Sequence, residues 1–142
     1  MSRLAAKLVL PRPFDVHELC RRLSAERGRP IVLTSLPMTL LGPCGLWLAG
    51  ERADIICYEQ NTSVLHQEHI ILHELGHILH EHSGAETMSE LFPDLGGETL
   101  RIMMARQHDT FSGRAERQAE NFAYKVLGRA SRASGFRRAL ED

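Results

Sequence analysis

The sequence predicts an α+β domain: a small three-stranded sheet, antiparallel or mixed, packed against a histidine-bearing helix and a second helix that carries glutamates. Three observations lead there. Segments 31–36, 45–49 and 54–59 are short and apolar, with β-branched or aromatic residues and glycine or proline at their ends. From Val64 to His82, apolar residues recur at helical spacing opposite a run of histidines. From Arg114 to Leu127 the chain reads as an amphipathic helix with Glu116 and Glu120 one turn apart.

The elements follow in order. Pro11 and Pro13 interrupt any helix formed by the first ten residues. Asp15 is an N-cap with Glu18 at the third helical position, and Phe14 can staple onto Leu19. That helix is expected to run to Arg27, stopping at Gly28 with Pro30 beyond. Ile31 to Leu36 forms a strand ended by Pro37. Gly45–Ala49 and Asp54–Glu59 form a hairpin turning through Gly50, Glu51 and Arg52. Thr62 or Ser63 caps the histidine helix, expected over Val64 to His82. The connection 83–113 holds several glycines and Pro93, with a short helix expected near Glu98 to Arg106. The final helix is expected to end at Gly128, leaving 128–142 as a flexible basic tail. Residues 1–142 thus make one domain, with its core over about 14–127 and no internal repeat.

With 142 residues, 43% of them hydrophobic and 25% charged, the chain has ordinary globular composition. A net charge of −1 provides no field toward nucleic acid or a membrane, so direct nucleic-acid binding is not expected. No stretch reaches the roughly 18 apolar residues of a membrane helix. The N-terminus lacks the unbroken apolar core of a signal peptide. Cys20, Cys44 and Cys57 are odd in number and widely spaced, which favours buried thiols in a reducing compartment. A cytoplasmic location is expected.

The chemistry concentrates in His73-Glu74-Leu75-Gly76-His77, an HExxH motif. Histidines at i and i+4 share one helix face and can reach one tetrahedral zinc. Glu74 lies about 100° around the axis from His73, beside the metal but outside its ligand set. There it can take a proton from a water that zinc has made acidic. Gly76 costs about 1 kcal/mol against alanine in a helix, which points to close approach by another segment. His66, His69, His73, His77 and His80 share an arc of about 80°, backed by Ile71, Leu72, Leu75, Ile78 and Leu79. His66, His69 and His80 read individually as neighbouring or surface residues.

A third ligand is needed. The metzincin continuation requires glycine at 80 and histidine at 83, and the chain has His80 and Ser83. The gluzincin arrangement, a glutamate from a later helix, is met by Glu116-Arg-Gln-Ala119-Glu120-Asn-Phe-Ala123. Ala119 and Ala123 permit tight helix packing. Glu120 can accept the outer N–H of a ligand histidine from outside the ligand set, and an exchange of roles between Glu116 and Glu120 stays open.

Together, His-Glu-Leu-Gly-His, the following His80, the passage from Leu36-Pro37 to Gly45-Leu46 and Glu-x-x-Ala-x-x-Phe-Ala resemble the ImmA/IrrE-type zinc metallopeptidases. The resemblance spans about Phe14 to Leu127. It implies a minimal zincin-like domain with one Zn²⁺ held by His73, His77 and Glu116, and Glu74 as the catalytic base. It implies a cytoplasmic endopeptidase of narrow specificity with a protein or peptide substrate, a helix-turn-helix transcriptional repressor being the family's association. The competing function is a non-catalytic zinc-binding regulatory partner, or a toxin component, acting by protein contact. Glu74 favours the enzyme, because a purely structural site has no use for a base there. Tyr58, His108 and Tyr124 are candidate oxyanion donors, and the hairpin offers an edge for an extended peptide.

Overall fold

The structure, a computed structural model, describes residues 3–38, 45–50, 52–80 and 113–141. Its elements are α1 (Arg3–Lys7), α2 (Val16–Arg27), β1 (Ile31–Leu36), β2 (Gly45–Ala49), β3 (Asp54–Glu59), α3 (Val64–Leu79) and α4 (Gly113–Glu141). The sheet order is β1-β3-β2. β3 pairs parallel with β1 and antiparallel with β2, so the sheet is mixed.

Local chemistry explains the first half of the chain. Asp15 caps α2, its carboxylate accepting from the backbone N–H groups of His17 and Glu18 at 2.8 and 3.2 Å. Gly28 ends the helix at φ 67°, a left-handed conformation that costs glycine nothing. In the hairpin, the Gly50 N–H donates to the Ala53 carbonyl at 2.8 Å. Period-two alternation then divides the strands between two faces. Trp47, Ala49 and Ile56 join the core built with Leu19, Leu23, Ile71, Leu72, Leu75 and Phe122. Leu46, Leu48 and Cys57 point the other way, into a smaller cluster with Met38.

Two buried carboxylates tie the sheet to the helices. Asp54 receives Arg27, Arg29 and the Trp47 indole N–H at 3.0–3.2 Å, joining the end of α2 to both hairpin strands. Glu59 accepts from the backbone N–H of Met38 at 2.8 Å and of Asn61 at 3.1 Å, fixing the chain as it leaves β3. The Gln67 amide donates to the Glu59 and Gln60 carbonyls, and Ser63 Oγ caps the first turn of α3. The start of α3 is therefore set by the sheet.

Both long helices depart from the expected bounds. α3 ends at Leu79, short of His82, with His80 as its C-cap. At this end the His80 ring Nδ1 turns back to the Gly76 carbonyl at 2.8 Å, which also accepts the helical bond from the His80 N–H at 3.1 Å. α4 passes through Gly128 and continues to Glu141, where a break and a flexible tail were expected. Packing against α1 explains this: Arg129 donates to the Ala5 carbonyl at 2.6 Å, and Ala130 is buried. The short helix expected near 98–106 lies outside the described residues, as does Cys44.

α3 and α4 cross closely at Gly76. A Cβ there would sit 3.0 Å from Ala119 Cα, 3.1 Å from its carbonyl oxygen and 3.3 Å from Phe122 Cβ. Backbone atoms yield little, so overpacking, at about 1–3 kcal/mol, exceeds the gain in helix propensity of about 1 kcal/mol. Gly76→Ala is expected to lower stability by up to about 2 kcal/mol net, read as a reduced midpoint in urea. Cys20 and Cys57 are buried free thiols, their pKa pushed by burial up to about 12 and about 11, with Glu74 adding to the rise at Cys57. In a Cys44→Ser chain neither should react with iodoacetamide at pH 8 until denaturant is added, because almost no thiolate exists in the folded state. Rapid native alkylation would contradict that burial.

Candidate metal centre

The i, i+4 spacing of α3 aims His73 and His77 at the first turn of α4, where Glu116 stands. His73 Nε2 lies 3.0 Å from Glu116 Oε2, and His77 Nε2 lies 2.9 Å from Glu116 Oε1. The two rings meet edge to face with centroids 5.1 Å apart. His77 is only 1% exposed, whereas Glu116 is 37% exposed, so the cluster is closed behind and open in front. Among the described residues this is the group whose ligand atoms converge, all within 4.8 Å of one another.

Proton accounting tests whether a metal fits. Carboxylate oxygens only accept, so each contact with Glu116 needs a proton on the facing Nε2. His73 also presents Nδ1 to Glu120 Oε1 at 3.5 Å. A neutral imidazole has one N–H and cannot serve both sides. A divalent cation held by His73, His77 and Glu116 would fit this arrangement, because it would use the Nε2 lone pairs and leave the His73 Nδ1–H for Glu120. Metal–ligand bonds of about 2.0–2.2 Å put tetrahedral ligand atoms roughly 3.3–3.5 Å apart. The observed 2.9 and 3.0 Å contacts need only a few tenths of an ångström of opening. His73, His77 and Glu116 therefore fit a divalent metal.

Glu74 stands beside this group and outside it. It is 8% exposed, and β2 begins directly against it: a Cβ on Gly45 would lie 3.2 Å from Glu74 Oε2 and 2.5 Å from Ile70 Cγ2. Glycine at 45 is thus a condition for the strand to cover the carboxyl. Burial, with the charge of Glu116 adding, raises the Glu74 pKa to about 8. In the metal-free chain it keeps its proton at neutral pH, and a dication at the neighbouring cluster would favour the ionised form. The sequence showed Gly45 only as the start of a strand. A glycine inside a strand is the available signal of close approach.

Glu120, one turn after Glu116, holds the outer side. Partial burial works to raise its pKa, but hydrogen bonds and charge from His69 and His73 outweigh this and hold it below the ordinary value. The remaining histidines of the predicted arc separate in role. His66 Nδ1 pairs with Thr62 Oγ1 at 2.7 Å, and His80 turns back onto α3 with its ring edge-on to Phe122. Tyr58 packs against the main core. Tyr124 is exposed in an open cleft of about 1200 Å³, shared with Leu65, His66, His69 and Arg132. His108 lies outside the described residues.

Equilibrium dialysis should find one divalent ion per chain. Glu116→Ala should remove most of the affinity, whereas Glu120→Ala should weaken it by about 10- to 100-fold. The opposite order would make Glu120 the ligand. Comparisons with protein families, curated proteins and solved structures found no match to this chain.

Proposed function

We propose that the chain is a zinc-dependent endopeptidase of narrow specificity, of the minimal zincin-like kind that its resemblance to ImmA/IrrE-type metallopeptidases implies. The observation that carries the proposal is the convergence of His73, His77 and Glu116 with a buried carboxyl, Glu74, adjacent to the set but not part of it. Two imidazoles and one carboxylate are a donor set that catalytic zinc sites use, leaving a position for water or substrate. Zinc bound there would supply Lewis acidity and lower the pKa of water toward neutrality.

The chain's own residues divide the remaining work. His73 and His77 give neutral nitrogen donors and Glu116 a negative one, so the cluster keeps net positive charge when loaded. Glu74 accepts a proton from the attacking water and returns it to the leaving amine. Its pocket beneath Gly45 excludes competing solvent from one side of that carboxyl. β2 is one of the two edge strands of the described sheet and starts beside Glu74 at Gly45, so an extended substrate paired along it would run past the base. A protein substrate suits such an arrangement, and a helix-turn-helix repressor is the first candidate.

Glu74→Gln separates a peptidase from a zinc-binding regulatory partner. Gln is nearly isosteric and Glu74 is not among the ligands, so metal content should stay near one per chain. Cleavage of the repressor should fall by about 10²–10⁴-fold, the worth of general-base help, as read by mass spectrometry of fragments. A repressor inactivated equally by wild type and Glu74→Gln, with no fragments from either, would refute the enzyme.

A further inference from the structure

The contacts between α3 and α4 do not stop at the triad. His77 Nε2 meets Glu116 Oε1, and Glu116 Oε2 meets His73 Nε2. His73 Nδ1 in turn meets Glu120 Oε1 at 3.5 Å, and the same oxygen receives His69 Nε2 at 2.5 Å. Histidine and glutamate thus alternate along the seam over five residues. The i, i+4 rows of two antiparallel helices interleave to produce this.

We propose that His69 is a positioning residue for the metal: it anchors Glu120, and through Glu120 it fixes the orientation and tautomer of His73. This rests on His73, His77 and Glu116 being metal ligands.

The geometry shows why Glu120 needs an anchor. Its side chain is 51% exposed, and its contact with His73 is at the long limit of a hydrogen bond. A glutamate in that setting has several rotamers available and one weak contact to choose among them. The contact to His69 is an ångström shorter and falls on the same oxygen. A carboxylate cannot donate, so His69 must present Nε2–H and His73 must present Nδ1–H. With the proton committed to Nδ1, the His73 Nε2 lone pair faces Glu116, as metal ligation requires. His69 touches neither the triad nor Glu74 in any of these contacts. It is 36% exposed, so its removal should leave the fold intact.

The experiment titrates Zn²⁺ into wild type, His69→Ala, His69→Gln, Glu120→Ala and the double variant, against a chromophoric chelator. His69→Ala should weaken Zn²⁺ binding by about 10-fold, the low end for outer partners of metal ligands. His69→Gln, which keeps an N–H near the Nε2 position, should restore most of it. The double variant should bind no more weakly than Glu120→Ala, because His69 acts only through that carboxylate. Metal-free melting temperatures should be equal across the set. Affinity unchanged in His69→Ala would overturn the inference and leave the metal site standing. A Gln variant as weak as Ala, or losses that multiply in the double variant, would also overturn it. A wild-type chain that binds no Zn²⁺ would remove the metal reading and this inference together.

Discussion

The crossing of α3 over α4 at Gly76 and Ala119 sets the distance on which the site depends. His73 and His77 flank Gly76 on one helix, and Glu116 lies one turn before Ala119 on the other. With a Cβ at position 76 already 3.0 Å from Ala119 Cα, the two backbones are as near as side chains allow. Separating them by the width of a methyl group would carry Glu116 out of reach of both nitrogens. Glycine within a helix costs about 1 kcal/mol. The contact it permits buries Ala119, Phe122, Ala123 and Val126 completely, and one such large apolar side chain contributes roughly 1.5–3 kcal/mol. Packing therefore outweighs the propensity loss, and the candidate ligand triad is assembled by the hydrophobic seam beneath it.

The sheet governs the other half of the chemistry. α4 provides Glu116 and leaves it part-exposed, whereas β2 helps bury Glu74, and that burial raises its pKa. One helix can thus hold adjacent residues in opposite roles: His73 turns toward α4 and Glu74 toward β2. That division requires α3 to leave the sheet at a fixed rotation. Glu59 and Gln67 impose it by pinning the backbone on either side of the α3 N-cap. A buried charge such as Glu59 is tolerable because backbone N–H groups satisfy it.

How much of this is legible in sequence follows from how local each cause is. α2, β1, β2 and β3 occupy the spans expected, because Asp15, Gly28, the β-branched run and the hairpin glycine act on their own neighbours. HExxH and Glu-x-x-Ala are equally local patterns, and the structure brings His73, His77 and Glu116 together. The end of α4 was misjudged because a distant group decides it. Gly128 stays helical beside α1, where Arg129 donates to the Ala5 carbonyl. Gly45 was read only as the start of a strand, and His69 only as a neighbouring or surface residue, for a related reason. Each matters only through one carboxylate on another element, and no spacing along the chain marks that pairing.

Charge gives the last constraint on how the site can work. Glu74, Glu116 and Glu120 stand close together, and without a cation the charge of Glu116 helps keep Glu74 protonated. A dication reverses the sign of that field. Bound at His73, His77 and Glu116, it would compete with any protons held there and favour the ionised form of Glu74. A metal held there would thereby favour the basic form of the buried acid beside it. Metal uptake and proton release would then be one equilibrium, and occupancy would fall as imidazoles and carboxylates become protonated at low pH. On the proposed reading, the buried glutamate would be a competent base only in a metal-loaded chain.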